Sequence, residues 1–220
     1  MQQRPRARTV LAALGIAAAC GACGDAPEAP AAGSTGTGAA ASPSAAAAGQ
    51  PVSGRVPVSR DGSLSVVILE PRSPIDVPAV TEPVTMDQLG MEFLPPVLLA
   101  GVGQPVRFRN SEDVMHNVRV YNIETKDTAF NISTPLGGTY EHRFEIAGTY
   151  RVACDIHPAM GASVVITGAP YAAVAGRDGR FTLDEVIPGP YTAVVQAGTA
   201  RSEHAVDIRP APTELDLTGD

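Results

Sequence analysis

Short runs of β-branched and aromatic residues, separated every few positions by turn-forming residues, restrict the fold of this chain more than any other feature. Val, Ile, Thr, Tyr and Phe favour extended backbone, whereas Gly, Pro, Asn and Asp interrupt it. No segment keeps a helical hydrophobic period over three turns, although residues 86–91 are compatible with a short turn. We therefore predict an all-β fold, with strands near residues 64–69, 97–100, 106–109, 117–121, 139–144, 149–153 and 163–167.

The composition is consistent with a fold that has many turns, and the net charge argues against one class of binding partner. Gly and Pro contribute 22 and 20 residues, only 5% of residues are aromatic, and Trp is absent. The formal net charge is −7, and loss of an N-terminal segment carrying Arg4, Arg6 and Arg8 would make the protein still more acidic. Because an acidic surface repels the phosphate backbone, we predict no nucleic-acid partner.

The N-terminal residues 1–20 resemble an export signal. Three arginines precede an apolar run that ends at Cys20 and is too short to span a bilayer. A small-residue stretch followed by Cys is typical of a bacterial lipoprotein cleavage site, so Cys20 is the candidate for lipidation, with Cys23 as a second candidate. An ordinary secretory signal cut nearby is the alternative. Both interpretations predict an exported, periplasmic or cell-surface protein, and the first adds a membrane anchor.

Residues 21–50 are predicted to be a disordered tether. This segment consists mainly of Ala, Gly, Pro, Ser and Thr, with almost no large apolar side chain. Such a segment cannot bury enough surface to offset the entropy lost on ordering. The folded part is therefore expected to begin near residue 51.

The chemistry of the chain is concentrated at the end of one predicted strand, in the spacing C-x2-H-x2-M. Cys154, His157 and Met160 offer a thiolate, an imidazole and a thioether that a tight loop can direct to one soft metal ion. His116, which opens another predicted strand, can supply a second imidazole. Two His, one Cys and a weak axial Met are the set that suits copper in electron transfer.

Other interpretations of this cluster fit the residue types less well. Structural zinc uses four strong donors and has little use for Met, a binuclear copper centre needs a second Cys in the loop, and an iron–sulfur cluster needs more Cys still. Without a metal, Cys154 could be a buried apolar residue, His157 a surface turn residue and Met160 a residue that fills space in the core. Met115 adjoins His116, but side chains alternate along a strand, so we expect it in the core and not at the metal.

Residues 84–166 resemble the cupredoxins, specifically the plastocyanin and amicyanin group with a short C-x2-H-P-x-M ligand loop. The resemblance extends to residues 86–88, 93–95, 102–110 and 116–118. It implies an eight-stranded Greek-key β-sandwich with one type 1 copper held by His116, Cys154, His157 and Met160. It also implies a second-shell role for Asn117, the residue after the first His. In the family, the backbone of this residue forms a hydrogen bond to the Cys sulfur, and its side chain can link neighbouring loops.

The C-terminal segment carries a second, less specific resemblance. A strand, an Asp178-Gly179 turn, a strand, a Pro-Gly turn and another strand resemble the carboxypeptidase regulatory-like, transthyretin-like β-sandwich module. We therefore expect a cupredoxin domain at residues 51–168 and a small antiparallel β-sandwich module at residues 169–220. This module is small for an independent core. Strands from residues 52–70 could complete it, or it could pack against the cupredoxin domain.

Three classes of function follow from the copper interpretation. A single-electron carrier between redox protein partners is favoured, because all four donors come from the protein and no position is left for a substrate. A copper-dependent enzyme, or an accessory subunit of one, would need further His ligands, and only His142 and His204 are spare. Copper storage or delivery usually relies on Met-rich or His-rich stretches, and the chain has five Met. We therefore predict an electron carrier and not an enzyme.

Overall fold

A computed structural model of the chain describes residues 48–219. All regular structure in this part of the chain is β-strand, and it contains no helix that is long and apolar enough to cross a membrane. The all-β prediction is confirmed. The strands are β1 (Gln50–Arg55), β2 (Val66–Pro71), β3 (Val84–Leu89), β4 (Glu92–Leu94), β5 (Val97–Gly101), β6 (Pro105–Asn110), β7 (His116–Asn122), β8 (Thr128–Thr134), β9 (Thr139–Arg143), β10 (Gly148–Ala153), β11 (Gly161–Thr167), β12 (Tyr171–Val174), β13 (Arg180–Val186), β14 (Gly189–Ala197), β15 (Ala200–Ile208) and β16 (Thr213–Asp216).

Strands β3 to β11 form one sandwich of two sheets, which we call the first sandwich. One sheet has the order β5-β11-β10-β7-β8 and the other β4-β3-β6-β9. Side chains alternate along each strand, so in β6 Val106 and Phe108 are buried while Arg107 and Arg109 face outward. The inward side chains of both sheets share one hydrophobic core, which includes Cys154.

The first sandwich has nine strands where the resemblance implies eight. The additional strand arises between β4 and β5, which belong to different sheets and are separated by Pro95 and Pro96. Proline has no backbone N–H and cannot continue a ladder of hydrogen bonds. The extended segment is therefore divided, and each part pairs with a different sheet.

The remaining strands form the second sandwich, to which both ends of the described chain contribute. β1 pairs with β13 and β16, and β2 lies between β12 and β14. Val52 and Leu69 from before the first sandwich share a core with Phe181, Tyr191 and Ile208 from after it. Residues 80–170 are thus inserted between two strands that are neighbours in one sheet.

The two sandwiches contact each other through outward faces of β2, β14, β10 and β11. Val66, Val165 and Val194 are buried although they belong to neither core. Thr149 donates a hydrogen bond across this contact to the side-chain oxygen of Gln196, at 3.0 Å. A mostly apolar contact with one polar link joins the two parts of the chain.

Both connections between the sandwiches lie at one end of the first sandwich. Val84, where the chain enters, and Thr167, where it leaves, line the same cleft. The opposite end is marked by the pair of Ala153 and Gly161, the last residue of β10 and the first of β11. The loop that carries the Cys, His and Met motif joins these two residues, so the motif lies far from the connections.

The seven predicted runs correspond to β2, β5, β6, β7, β9, β10 and β11, with boundaries displaced by up to two residues. β8 was not predicted because its sequence, TAFNIST, mixes apolar residues with Asn and Ser. In the segment 86–91, the residues up to Leu89 belong to β3. Gly90 and Met91, which both have positive φ, form the turn that follows.

Candidate metal centre

Cys154 follows the last residue of β10 and is buried in the core of the first sandwich. The loop after it closes on itself, because the Cys154 N–H donates to the Met160 carbonyl at 3.3 Å and the Met160 N–H donates to the His157 carbonyl at 2.9 Å. The His157 N–H points to the Cys154 sulfur at 3.4 Å. These bonds hold Cys154, His157 and Met160 on one short turn between β10 and β11.

His116 is the first residue of β7, and β7 lies beside β10. Its ring is completely buried, and its Nδ1 lies 3.9 Å from the Cys154 sulfur. The His157 Nδ1 also lies 3.9 Å from that sulfur and 2.9 Å from the His116 Nδ1. The structure thus brings together one sulfur and two ring nitrogens that lie within 4.8 Å of one another.

The two imidazoles differ in their surroundings. His157 is partly exposed, whereas His116 is enclosed on all sides. The second ring nitrogen of His116, Nε2, lies 2.6 Å from a carboxylate oxygen of Glu112. A hydrogen bond from the outer nitrogen of a metal-binding His fixes the orientation of the ring.

Met160 is buried at the end of the turn and packs in the same core as Cys154 and Ala162. Its backbone is fixed by its hydrogen bonds to Cys154 and His157. Met160 therefore lies in an apolar environment on the same turn as Cys154 and His157.

Asn117 joins β7 to the loop after Cys154. Its side-chain oxygen accepts the Asp155 N–H at 2.6 Å and the Ile156 N–H at 3.3 Å, and its amide donates to Asn131 at 2.9 Å. Desolvation acts to raise the pKa of Asp155, but hydrogen bonds from Asn131 and Asn117 and the charge of Arg119 lower this pKa overall. The ligand loop is thus fixed on its outer side by a polar cluster.

Asn110 fixes the loop that leads to His116. Its buried amide donates to the carbonyls of Val114 and Thr134, both at 2.8 Å, and its side-chain oxygen accepts the Glu112 N–H at 2.9 Å. All of its bonding capacity is directed to backbone groups of neighbouring segments. The position of His116 therefore depends on both sheets of the first sandwich.

Two expectations from the sequence have a different outcome. Met115 is not in the core: the residue is 56% exposed, because it lies in the loop before β7 where strand alternation does not yet apply. The lipidation candidates Cys20 and Cys23 lie outside the described residues.

The sequence reasoning did not identify Glu112. A Glu in a polar loop four residues before a His is common, and nothing in the sequence shows that the loop folds back to place this carboxylate against the ring. The Met91 N–H also donates to Glu112, at 3.0 Å. Desolvation acts to raise the pKa of Glu112, whereas the hydrogen bonds from Met91 and His116 lower this pKa overall.

The donor set fits copper. A buried thiol and two imidazole nitrogens converge on one point, and a thioether lies on the same turn. Copper favours such a combination of nitrogen and soft sulfur donors, whereas magnesium and calcium require oxygen ligands. Within residues 48–219 this is the group of His, Cys and acidic residues with the geometry of a metal site.

Part of the chain is similar to known copper proteins. Among solved structures, a Met-to-Gln variant of amicyanin with Cu(I) is 27% identical, with a TM-score of 0.36 over 39% of this chain and 82% of that chain. A purple cupredoxin from Nitrosopumilus maritimus is 24% identical, with a TM-score of 0.34 over 38% of this chain and 98% of that chain. No curated protein matches the chain. Residues 80–167 match the family model described as copper binding proteins, plastocyanin/azurin family.

Proposed function

We propose that the protein is an extracytoplasmic type 1 copper protein that carries single electrons between redox protein partners, with copper bound by His116, Cys154, His157 and Met160. The observation that supports this most directly is the convergence of the Cys154 sulfur and the Nδ1 atoms of His116 and His157 within 4.8 Å, with Cys154 and His116 buried. Bound copper would supply a one-electron Cu(II)/Cu(I) couple.

The surroundings of the donors suit an electron carrier better than a catalyst. The loops that present the donors are fixed by Asn110 and Asn117. We therefore expect the donors to keep similar positions in both oxidation states. All four donors are side chains of this chain, which leaves no position for a substrate. We therefore propose a carrier and not an enzyme.

We propose that electrons enter and leave through His157. This residue is partly exposed, and Pro158 and Ala159 beside it are exposed and uncharged. Ile156 and Met115 add exposed apolar surface at the same end. A redox protein can approach such a surface without displacing charged side chains, and the acidic remainder of the molecule would steer a basic partner towards it.

We further propose how the chain is divided. Residues 1–20 act as a signal with Cys20 lipidated, and residues 21–50 tether the folded part to the membrane. The C-terminal strands form a carboxypeptidase regulatory-like module without catalytic function, which strands from residues 52–70 complete. The pairing of β1 and β2 with C-terminal strands supports this division.

The proposed function is tested by the Cys154→Ser variant. The oxidised wild-type protein is expected to bind one copper and to be blue or green, because a Cu(II)–thiolate bond gives an intense charge-transfer band. Serine removes the thiolate, so the variant should lose this band. Ala153→Ser is the matched control, since it places the same hydroxyl one residue away and should keep the band.

Copper content is measured by elemental analysis alongside the spectrum, because Zn(II) competes for the His and Cys donors. An unchanged spectrum in Cys154→Ser would refute the ligand assignment. A wild-type protein that binds copper but has no strong visible band would instead support storage of Cu(I).

A further inference from the structure

Glu112 is a carboxylate in direct contact with one of the proposed copper ligands, His116. One of its oxygens lies 2.6 Å from His116 Nε2 and the other accepts the Met91 N–H at 3.0 Å. Its side chain is only 14% exposed and that of His116 is 0% exposed. The contact with His116 is therefore short and largely shielded from water, and the second carboxylate oxygen is held by the Met91 N–H.

The contact determines which nitrogen of His116 carries the proton. A carboxylate can only accept, so the hydrogen of the neutral imidazole belongs on Nε2. Nδ1 is then left with its lone pair, and this atom points to Cys154 and His157. Glu112 thus holds the ring in the tautomer that a metal ligand requires.

His157 provides an internal comparison. Its Nδ1 lies in the same site, but its Nε2 has no hydrogen-bond partner among residues 48–219, and its ring is partly exposed. The two imidazoles of the site are therefore not equivalent. Only His116 is bonded to an anionic group.

We propose that Glu112 is a positioning residue that fixes the tautomer of His116 and lowers the reduction potential of the bound copper. This inference rests on the proposed function. The oxidised centre carries one more positive charge than the reduced centre, so a nearby anion stabilises Cu(II) more than Cu(I). Because Glu112 is largely shielded from water, salt and solvent weaken this effect less than they would at the surface.

The Glu112→Gln variant tests the effect of the charge at nearly constant volume. We expect the equilibrium between Cu(II) and Cu(I) to shift about tenfold towards Cu(I), which raises the reduction potential by about 59 mV for a one-electron couple. The matched control is Glu124→Gln, which removes the same charge from an exposed position at the far end of β7. This control should leave the potential close to that of the wild type.

Glu112→Asp keeps the charge but shortens the side chain, and it should restore most of the wild-type potential. If Glu112→Gln keeps the intense thiolate band while its potential equals that of Glu124→Gln, the role of Glu112 is refuted and the ligand assignment stands. If Cys154→Ser keeps the band, the ligand assignment itself fails.

If Glu112→Gln does not bind copper, the tautomer is decided on the wild-type Cu(I) protein by ¹H–¹⁵N NMR. A His116 Nε2–H proton shifted strongly downfield by a short bond to a carboxylate supports the inference. A shift equal to that of the partly exposed His204 ring, whose Nε2 lies next to the Ser202 hydroxyl and not next to a carboxylate, overturns it.

Discussion

At the scale of single residues, the ligand loop could be interpreted from the sequence because its donors are close in the chain. Cys154, His157 and Met160 lie on one turn, so their spacing alone places them together. His116 required an additional inference about which strand lies beside β10. Glu112 could not be predicted, since its contact with His116 depends on how a loop between two sheets folds.

Met160 gives a prediction at this scale. Replacement by Gln should keep copper bound while lowering the reduction potential, because a harder oxygen donor favours Cu(II) over Cu(I). The potential is measured by voltammetry together with the copper content. Met115→Gln makes the same change at an exposed methionine and should leave the potential unchanged.

Complete loss of copper from Met160→Gln would contradict this prediction. Met160 would then be a primary ligand or would be required for the structure of the loop. An unchanged potential with copper still bound would also contradict it, because the side chain would then have no contact with the metal.

At the scale of elements, prediction succeeded where strands alternate and failed where they are short or polar. β10 and β11 have clear apolar alternation and were predicted, whereas β8 is held by its pairing with β7 despite a mixed sequence. Strand order depends on contacts between distant segments. From the sequence, the N-terminal strands could therefore either complete the C-terminal module, as the pairing of β1 with β13 does, or leave that module to pack against the cupredoxin domain.

Gly54 gives a prediction for the second sandwich. It lies in β1 between β13 and β16, and an added Cβ would come within 2.2 Å of the Leu215 carbonyl oxygen and 2.8 Å of the Phe181 ring. Gly54→Ala should therefore destabilise the protein by about 1–3 kcal/mol, as overpacking in a core does. The copper spectrum should stay unchanged, because the metal centre belongs to the first sandwich.

The measurement is chemical denaturation followed by circular dichroism, with the visible band recorded in parallel. Gly168→Ala is the control, since an added Cβ there meets nothing within 4 Å. If Gly54→Ala abolished the copper band under native conditions, the first sandwich would depend on the second for its fold.

At the scale of the whole molecule, the metal centre and the connections to the second sandwich lie at opposite ends of the first sandwich. A partner that approaches His157 therefore meets neither connection. The sequence indicated which residues surround His157, but it could not show that the second sandwich leaves this end free, because that depends on how the two sandwiches pack.

Ala159→Glu tests the proposed docking surface. A negative charge beside His157 should slow electron self-exchange about tenfold or more at low salt, since two like charges then face each other, and added salt should reduce the difference. The copper spectrum serves as the check that the site is intact. Ala129→Glu adds the same charge at the start of β8, at the other end of the sandwich, and should have little effect. Equal self-exchange rates in Ala159→Glu and wild type would refute the exit through His157.

The insertion of one sandwich within the other has a consequence for the order of folding. All strands of the first sandwich are continuous in the chain, from Val84 to Thr167, and can pair as soon as they have left the ribosome. β1 and β2 emerge earlier, but their partners β13, β14 and β16 are synthesised last. The first sandwich is therefore expected to fold while β1 and β2, although synthesised earlier, are still unpaired. The second sandwich can be completed only after Asp216 has been synthesised.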